Sequence, residues 1–580
     1  MAILGIDVGG TFTDAVLLAD GELRTAKVST EARQERSVVA AARAVGAASV
    51  ERFTHGTTIA TNALLERKGA RTAFVTTAGF EHLLHLRRQN RAHLYRLCVD
   101  HPPPLVPLER SYGVRERMGP EGVLEDLDLA SLPDIDAETV AICLLFSFRD
   151  PAHEIAVANE VRRRMPAVHV VASHEVSPEF REYERASTTA LDAYLGPVLS
   201  RYLVSLVEGC AEAGLAEPLV MRSSGGVASI AEAAAHPAWV LVSGPAAGAV
   251  GAARVAAATG IEKAISLDMG GTSTDVCLIA DGEAARTGER VVDGLPVRLP
   301  TVDLHTVGAG GGSLVWRDSG GALRVGPKSA GADPGPACYG RGGTQPTVTD
   351  ANLLLGRLPE QLAGGLELDR SAAERALAGF DPAEVVQVVN AEMLSALRVI
   401  SVERGHDPRD FALIAFGGAG PLHACELAEE LEIGTVIVPA ASGVLSALGL
   451  VASDERRDSV RSYVRPLSEV GVLPAKGEAD LRYAGQSFEL TVPLGGDVAE
   501  SFHRAHEHRY GYADRDRAVE LVAVRTAEVR PGPDLVLPPA EPLDVAGPSV
   551  LELEGATCWI PPGWVGVRDG TDSTLRLTRL

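Results

Sequence analysis

At 580 residues the chain exceeds what one hydrophobic core normally supports, so two or more domains are expected. Hydrophobic residues make up 46% and charged residues 23%, an ordinary globular balance, while 60 glycines beside 4% aromatics predict many tight turns around cores of Ala, Leu and Val. The net charge of −23 argues against nucleic acid or an anionic membrane surface as partner, because both recruit clustered Lys and Arg; a nucleotide is compatible, since its phosphates need only a local nest of amides and a metal.

The N-terminus, MAILGIDVGG, predicts a strand rather than a leader peptide. No uninterrupted apolar run reaches the roughly 20 residues of a bilayer span, and the expected location is the cytoplasm. Ile3, Leu4 and Ile6 read as a buried strand, Asp7-Val8-Gly9-Gly10-Thr11 as a turn, and residues 15–18 as a returning strand. Strand patterns follow at 71–77 and 140–148, a helix at 154–164, and a strand at 168–173. A long helix at 182–205 is interrupted at Pro197, and an Ala-rich helix at 246–258 is entered through Ser243-Gly244-Pro245. This alternation means α/β with a mixed sheet.

A near copy of the first hairpin then appears, Asp268-Met269-Gly270-Gly271-Thr272-Ser273-Thr274-Asp275 between apolar strands. The shared frame D-x-G-G-T-x-T-D reads as a structural repeat. Residues 304–349 are very Gly-rich, but Trp316, Lys328, Cys338 and Tyr339 punctuate them, which favours an ordered active-site loop over a linker. A helix at 390–404 leads to a strand at 411–416, the turn Gly417-Gly418-Ala419-Gly420-Pro421, a helix at 422–431 and a strand at 435–438. A break falls near Pro466, beyond which a strand at 481–492, a helix at 500–509 and a strand at 520–529 form a small α+β module. The expected division is 1–180, 181–465 and 466–580. Seven scattered cysteines without a CxxC pair exclude a disulfide framework and a zinc knuckle.

Each D-x-G-G-T-x-T-D turn makes sense as a phosphate loop. Gly9, Gly10, Gly270 and Gly271 let backbone amides approach an anion with no Cβ in the way. Thr11, Thr13, Thr272 and Thr274 offer hydroxyls to phosphate oxygens. Asp7 and Asp268, each ending a buried strand, suit Mg²⁺ held through water. Asp14 and Asp275 either orient the groups around the metal or fix the hairpin turns. Gly417, Gly418 and Gly420 permit close approach to adenine or an α-phosphate, or simply make a tight connection.

Two such loops followed by a Gly-rich turn resemble the actin/sugar-kinase/Hsp70 (ASKHA) superfamily. More narrowly, GIDVGGTFTDAVLL, THGTTIATNALLERKGARTAFVTTAGF, VSGPAAGAVGA, SLDMGGTSTDVCLI, GPKSAGADPGPACYGRGG and ALIAFGGAGPLHACELAEELEIGTVIVP resemble the hydantoinase A/5-oxoprolinase family, including the acetone carboxylase subunit of that type. The resemblance spans most of the chain before Pro466. It implies duplicated α/β domains around an ATP cleft plus a small C-terminal module, use of ATP with Mg²⁺ or another divalent metal, and ATP-dependent hydrolysis of a cyclic amide. A hydantoinase B-type second subunit and an oligomeric assembly are implied as well. The alternatives are a ketone carboxylase subunit and a regulatory ATPase that switches a partner.

The tail is abbreviated relative to the family, and Phe146, Arg222 and Ser224 depart from its usual polar positions. On the substrate side stand His55, Arg88 and Gln89, with Asp303 and His305 as an acid/base or metal pair beside the Gly-rich loop. Arg88 suits a substrate carboxylate through bidentate bonding, or lies on a solvated helix face. His55 is either a substrate contact or a hydrogen-bonded structural histidine, and Asp303 with His305 is equally a buried hydrogen-bonded pair. His503, His506 and His508 read as surface or interface residues, having no Cys or carboxylate partner for a metal.

Overall fold

The computed structural model describes residues 2–19, 21–47, 50–362 and 366–580. Strand β1 (Ala2–Val8) turns into β2 (Phe12–Ala19) and β2 into β3 (Glu22–Ser29), an antiparallel meander. β4 (Arg52–Thr57) lies parallel to β1 on its other side, and β5 (Leu219–Met221) parallel to β4. The second half repeats this order with β6 (Lys263–Met269), β7 (Thr274–Ala280), β8 (Glu283–Ala284), β9 (Ala412–Phe416) and β10 (Thr435–Val438). Sense is preserved throughout: β7 is antiparallel to β6 and β8, whereas β9 is parallel to β6 and β10. Register is preserved too, since Asp7 opposes Asp14 in the first hairpin and Asp268 opposes Asp275 in the second. One unit folded twice is the duplicated actin/sugar-kinase/Hsp70 architecture expected from the sequence.

Helix α1 (Glu182–Glu212) packs into the first core and runs straight through Pro197, where the sequence predicts an interruption. Proline removes one hydrogen bond, but the helix is buried over nearly all of residues 183–196, and packing outweighs the local defect. The strand expected at 140–148 stops at Cys143. Beyond it the amides of Leu144 and Leu145 donate to Glu154 Oε1 and Thr77 Oγ1, both at 3.1 Å, and Phe146 takes φ of +55° in a turn. That strand belongs to a five-stranded sheet inserted into the first half between β4 and α1.

Two helices join the halves. α2 (Ser243–Ala258) and, after α3 (Gly420–Glu430), α4 (Leu445–Val451) cross between the two sheets and share a core with Ile3 and Val16 of the first and Ile414, Phe416 and Ile437 of the second. The crossing is so close that a Cβ on Gly449 would overlap the Ala247 carbonyl, and one on Gly5 would overlap that of Ala447.

Strand Glu455–Pro466 pairs with Val519–Arg530, Glu478–Tyr483 and Leu490–Pro493 complete a four-stranded sheet, and helix Val498–Tyr510 accompanies it. The single strand expected at 481–492 is therefore two, parted by a turn in which Gly485 takes φ of +82°. His503 and His506 are buried there rather than on the surface, because Tyr483 Oη bonds His503 Nδ1 at 2.7 Å and the Tyr512 carbonyl bonds His506 Nδ1 at 2.8 Å; His508 is exposed. Finally Leu543–Ala546, Trp564–Arg568 and Leu575–Arg579 extend the second large sheet beyond β10.

Candidate active site

The two D-x-G-G-T-x-T-D turns fold alike because each closes a hairpin with the same bond: Gly9 N–H donates to the Phe12 carbonyl at 3.0 Å and Gly270 N–H to that of Ser273 at 3.1 Å. At the loop tips a Cβ added to Gly10 or Gly271 would meet nothing within 4 Å, so both tips border open space. Thr11 and Thr272 stay at these tips. Thr13 and Thr274 do not, because strand alternation turns them inward: Thr13 Oγ1 lies 3.0 Å from Thr30 Oγ1, and Thr274 Oγ1 donates to the Ala309 carbonyl at 2.5 Å. Their hydroxyls brace the loops from behind instead of pointing at a ligand.

Helix α2 brings the two leading aspartates together. A Cβ on Gly244 in its first turn would lie 3.3 Å from Asp7 Oδ1, and one on Gly248, a turn further on, 3.1 Å from Asp268 Oδ2. One helical turn rises about 5.4 Å, so both carboxylates flank a single turn of one helix although they lie far apart in sequence. Gly56, paired with Asp7 across β1 and β4, has no room for a side chain beside that carboxylate.

This crowding sets the electrostatics. Burial pushes Asp7 up to about 7, with Asp14 adding to the shift and Lys27 opposing it. Burial pushes Asp268 up to about 8, reinforced by Asp275, Asp7 and Asp14. Lys27 Nζ holds Asp14 at 2.5 Å and the Gly443 carbonyl at 3.0 Å. Asp275 instead accepts from Thr306 Oγ1 at 2.5 Å, and Arg290 Nη2 donates to the same hydroxyl at 3.1 Å. Asp7 Oδ1 is buried with no hydrogen-bond partner. A cluster of carboxylates this short of cations suits a divalent ion, which would favour their charged forms. Among the described residues no three His, Cys, Asp or Glu side chains form a metal cage. Mg²⁺ in general keeps its waters and takes one or two carboxylates together with substrate phosphates.

Two further segments close on the second loop. In the Gly-rich stretch, Gly311 N–H and Gly312 N–H donate to the carbonyls of Gly270 at 3.0 Å and Gly271 at 2.7 Å. A Cβ on Gly310 would strike Thr272 N at 2.6 Å, so this stretch is an ordered strap. At the turn after β9, Gly417 takes φ of +77°, and any Cβ there would reach Asp268 Oδ1 at 2.5 Å. Ala419 N–H donates to the Met269 carbonyl at 3.0 Å, Gly418 lies between, and Gly420 opens α3. Gly417, Gly418 and Gly420 thus adjoin the second loop.

Of the residues expected to face substrate, His55, Arg88 and Asp303 are held by protein partners. His55 is fully buried, with Nδ1 3.1 Å from the Ile6 carbonyl and Nε2 2.7 Å from Tyr202 Oη; burial lowers it to about 4, and it is a structural histidine. Arg88 grips Glu184 through both Nε and Nη2, which raises its already high pKa. Asp303 is held by the Arg404 fork, and His305, its pKa lowered by burial, points to the strand face opposite Thr306. Gln89 lies exposed in a turn with φ of +53°. Lys27, Gly56, Gly244, Gly248 and the Arg290–Thr306 pair escaped the sequence reading. VSGPAAGAVGA carried a signal for the two α2 glycines, while nothing local marks Lys27 or Arg290.

Comparison with known proteins finds relatives along most of the chain. Residues 3–165 match the hydantoinase/oxoprolinase N-terminal region and residues 185–459 the hydantoinase/oxoprolinase family. The chain is 32% identical to caprolactamase subunit alpha of Pseudomonas jessenii over 97% of both chains. The crystal structure of the ATP-dependent caprolactamase from that organism superposes with a TM-score of 0.84 at 31% identity, covering 100% of each chain. It is 35% identical to the acetophenone carboxylase gamma subunit of Aromatoleum aromaticum over 77% of this chain and 67% of that one. It is 32% identical to 5-oxoprolinase of Saccharomyces cerevisiae over 90% of this chain but only 49% of that longer protein.

Proposed function

This chain belongs to the hydantoinase/oxoprolinase family, and on that premise we propose that it opens a cyclic amide of the 5-oxoproline or hydantoin type in an ATP-dependent reaction. The observation that carries the reading is the pair of phosphate loops whose Asp7 and Asp268 flank one turn of α2. Asp7 and Asp268 would hold Mg²⁺, which supplies charge neutralisation at the phosphates. The loop amides at Gly9, Gly10, Gly270 and Gly271 would cradle the phosphates, and the Gly417–Gly420 turn the adenosine.

An unstrained ring amide resists water because resonance protects it. Transfer of the γ-phosphoryl group to the amide oxygen removes that protection and releases ADP. Water then adds to the carbon, the C–N bond breaks with the proton passing to nitrogen, and a second water frees phosphate and leaves the carboxylate. The protein contributes position and charge stabilisation. Lys27 steadies Asp14, and the Arg290–Thr306 pair steadies Asp275. A second subunit completes the enzyme on this reading, supported by relatives named as subunits.

The test is phosphate release by the chain, with and without a hydantoinase B-type chain, across 5-oxoproline, hydantoins, caprolactam, and ketones with bicarbonate. Stimulation by a cyclic amide that disappears in Asp268→Ala supports the proposal. Stimulation only by ketone plus bicarbonate would replace it with carboxylation, the reaction named for the Aromatoleum relative. ATP-dependent association with no stimulation by any substrate would replace it with a switch.

A further inference from the structure

A cavity of about 440 Å³ opens between α1, the segment 287–298 and the four-stranded sheet. Its lining contains four arginines and four carboxylates, and their pairing is uneven. Three of the arginines each grip a carboxylate through two nitrogens. Arg88 is taken by Glu184, and Arg181 by Glu489 at 3.2 and 2.5 Å. Arg525 is taken by Glu179 at 3.0 and 2.6 Å and by Asp480 at 3.0 Å.

Arg298 differs. It is 5% exposed and its Nε donates to Glu179 at 2.8 Å, but its outer edge has no hydrogen-bonded partner. Nη1 is unsatisfied and stands 3.9 Å from Glu289; Nη2 stands 3.8 Å from Glu489. Its backbone is pinned on both sides, by Thr188 Oγ1 accepting from its N–H at 2.9 Å and Ser177 Oγ donating to its carbonyl at 3.0 Å. A buried guanidinium with spare donors on a rigid backbone is built to receive an oxyanion.

The cavity wall leads along the chain toward the second hairpin. Gly288 and Glu289 form part of its wall, and the next residue, Arg290, reaches Thr306 and through it Asp275. Phe488, 39% exposed, supplies an apolar wall. With Glu179 behind Arg298 and Arg525 the site holds one more carboxylate than arginine, so a polyanion is disfavoured, whereas a single carboxylate on a compact carbon skeleton needs only the outer edge of Arg298.

We infer that this cavity is the acceptor-substrate site and that Arg298 binds a carboxylate borne by the ring compound, making it the residue that selects anionic over neutral cyclic amides. The inference rests on the function proposed above for its link to catalysis. The carboxylate site can be tested without nucleotide.

Calorimetric binding to the full chain would compare 5-oxoproline, 2-pyrrolidinone (the same ring without the carboxylate) and inorganic phosphate. 5-Oxoproline is expected to bind best. Arg298→Gln should weaken it by about ten- to a hundredfold, the loss of a charge-assisted hydrogen-bond pair, and leave 2-pyrrolidinone unchanged. Glu289→Gln, on the half-exposed rim, should tighten it a few-fold by removing a competing carboxylate, so the idea survives if Arg298→Gln fails to fold. Equal binding of the two lactams, no binding of either, indifference to both substitutions, or phosphate binding as tightly as 5-oxoproline would each overturn it. If Arg298-dependent binding holds but no cyclic amide stimulates phosphate release, the proposed reaction fails and the carboxylate site stands.

Discussion

At the scale of single residues, burial decides roles that residue type leaves open. His55 and His423 are both fully buried and lowered by burial, to about 4 and about 3. The unfolded chain therefore binds more protons than the folded one below pH 6.5, and each histidine costs about 1.4 kcal/mol of stability per pH unit from there down to its folded value. His55→Gln should be less stable than wild type at pH 7.5, with a gap that narrows steadily toward pH 5 in thermal melts. A constant gap would mean that His55 does not titrate as its burial requires. The aspartates run the opposite way. With Asp268 raised from 3.8 to about 8, stability falls as pH rises between those two values and the loss is complete above the upper one, so metal-free Asp268→Asn should melt higher than wild type at pH 8.5. The same change should lower ATP-dependent turnover by about a hundredfold or more. Higher stability with full activity would remove Asp268 from the site.

At the scale of elements, close contacts through glycine set the geometry. Gly449→Ala would push the α2–α4 crossing apart and should destabilise the fold by about 1–3 kcal/mol, read from denaturant midpoints. Gly310→Ala would instead press the strap into the second phosphate loop at Thr272. It should raise the KM for ATP several-fold with little change in melting temperature; an unchanged KM would mean that the strap does not position the loop. Helix α2 and the strap were visible in the sequence as Ala- and Gly-rich segments, whereas α4 was not read there. What they press against was not, because a glycine needed for turning and one needed for contact look alike until the facing element is in place.

At the scale of the whole molecule, the halves are joined by the α2–α4 core, by Lys27 reaching the Gly443 carbonyl, and by the Glu554 carboxylate accepting from Thr25. A chain of net charge −23 with four aspartates in its cleft repels a bare triphosphate. Chelating Mg²⁺ with EDTA should therefore abolish the thermal shift given by ATP. ATP binding of equal strength without the ion would contradict the roles given to Asp7 and Asp268.

The sequence by itself determined the repeated hairpins, the order of the three glycine turns, the duplicated architecture and the family. These rest on local patterns: an apolar strand, a glycine turn and a returning strand fold the same way wherever they occur. Only the tertiary structure decided which charged groups remain free. Arg525 meets Glu179 across 346 positions, Arg88 meets Glu184 across 96, and Arg298 keeps unsatisfied donors because both of its nearest outer carboxylates stand beyond hydrogen-bond reach. An arginine's availability depends on which carboxylates the fold brings within hydrogen-bond reach, and sequence spacing does not encode that distance.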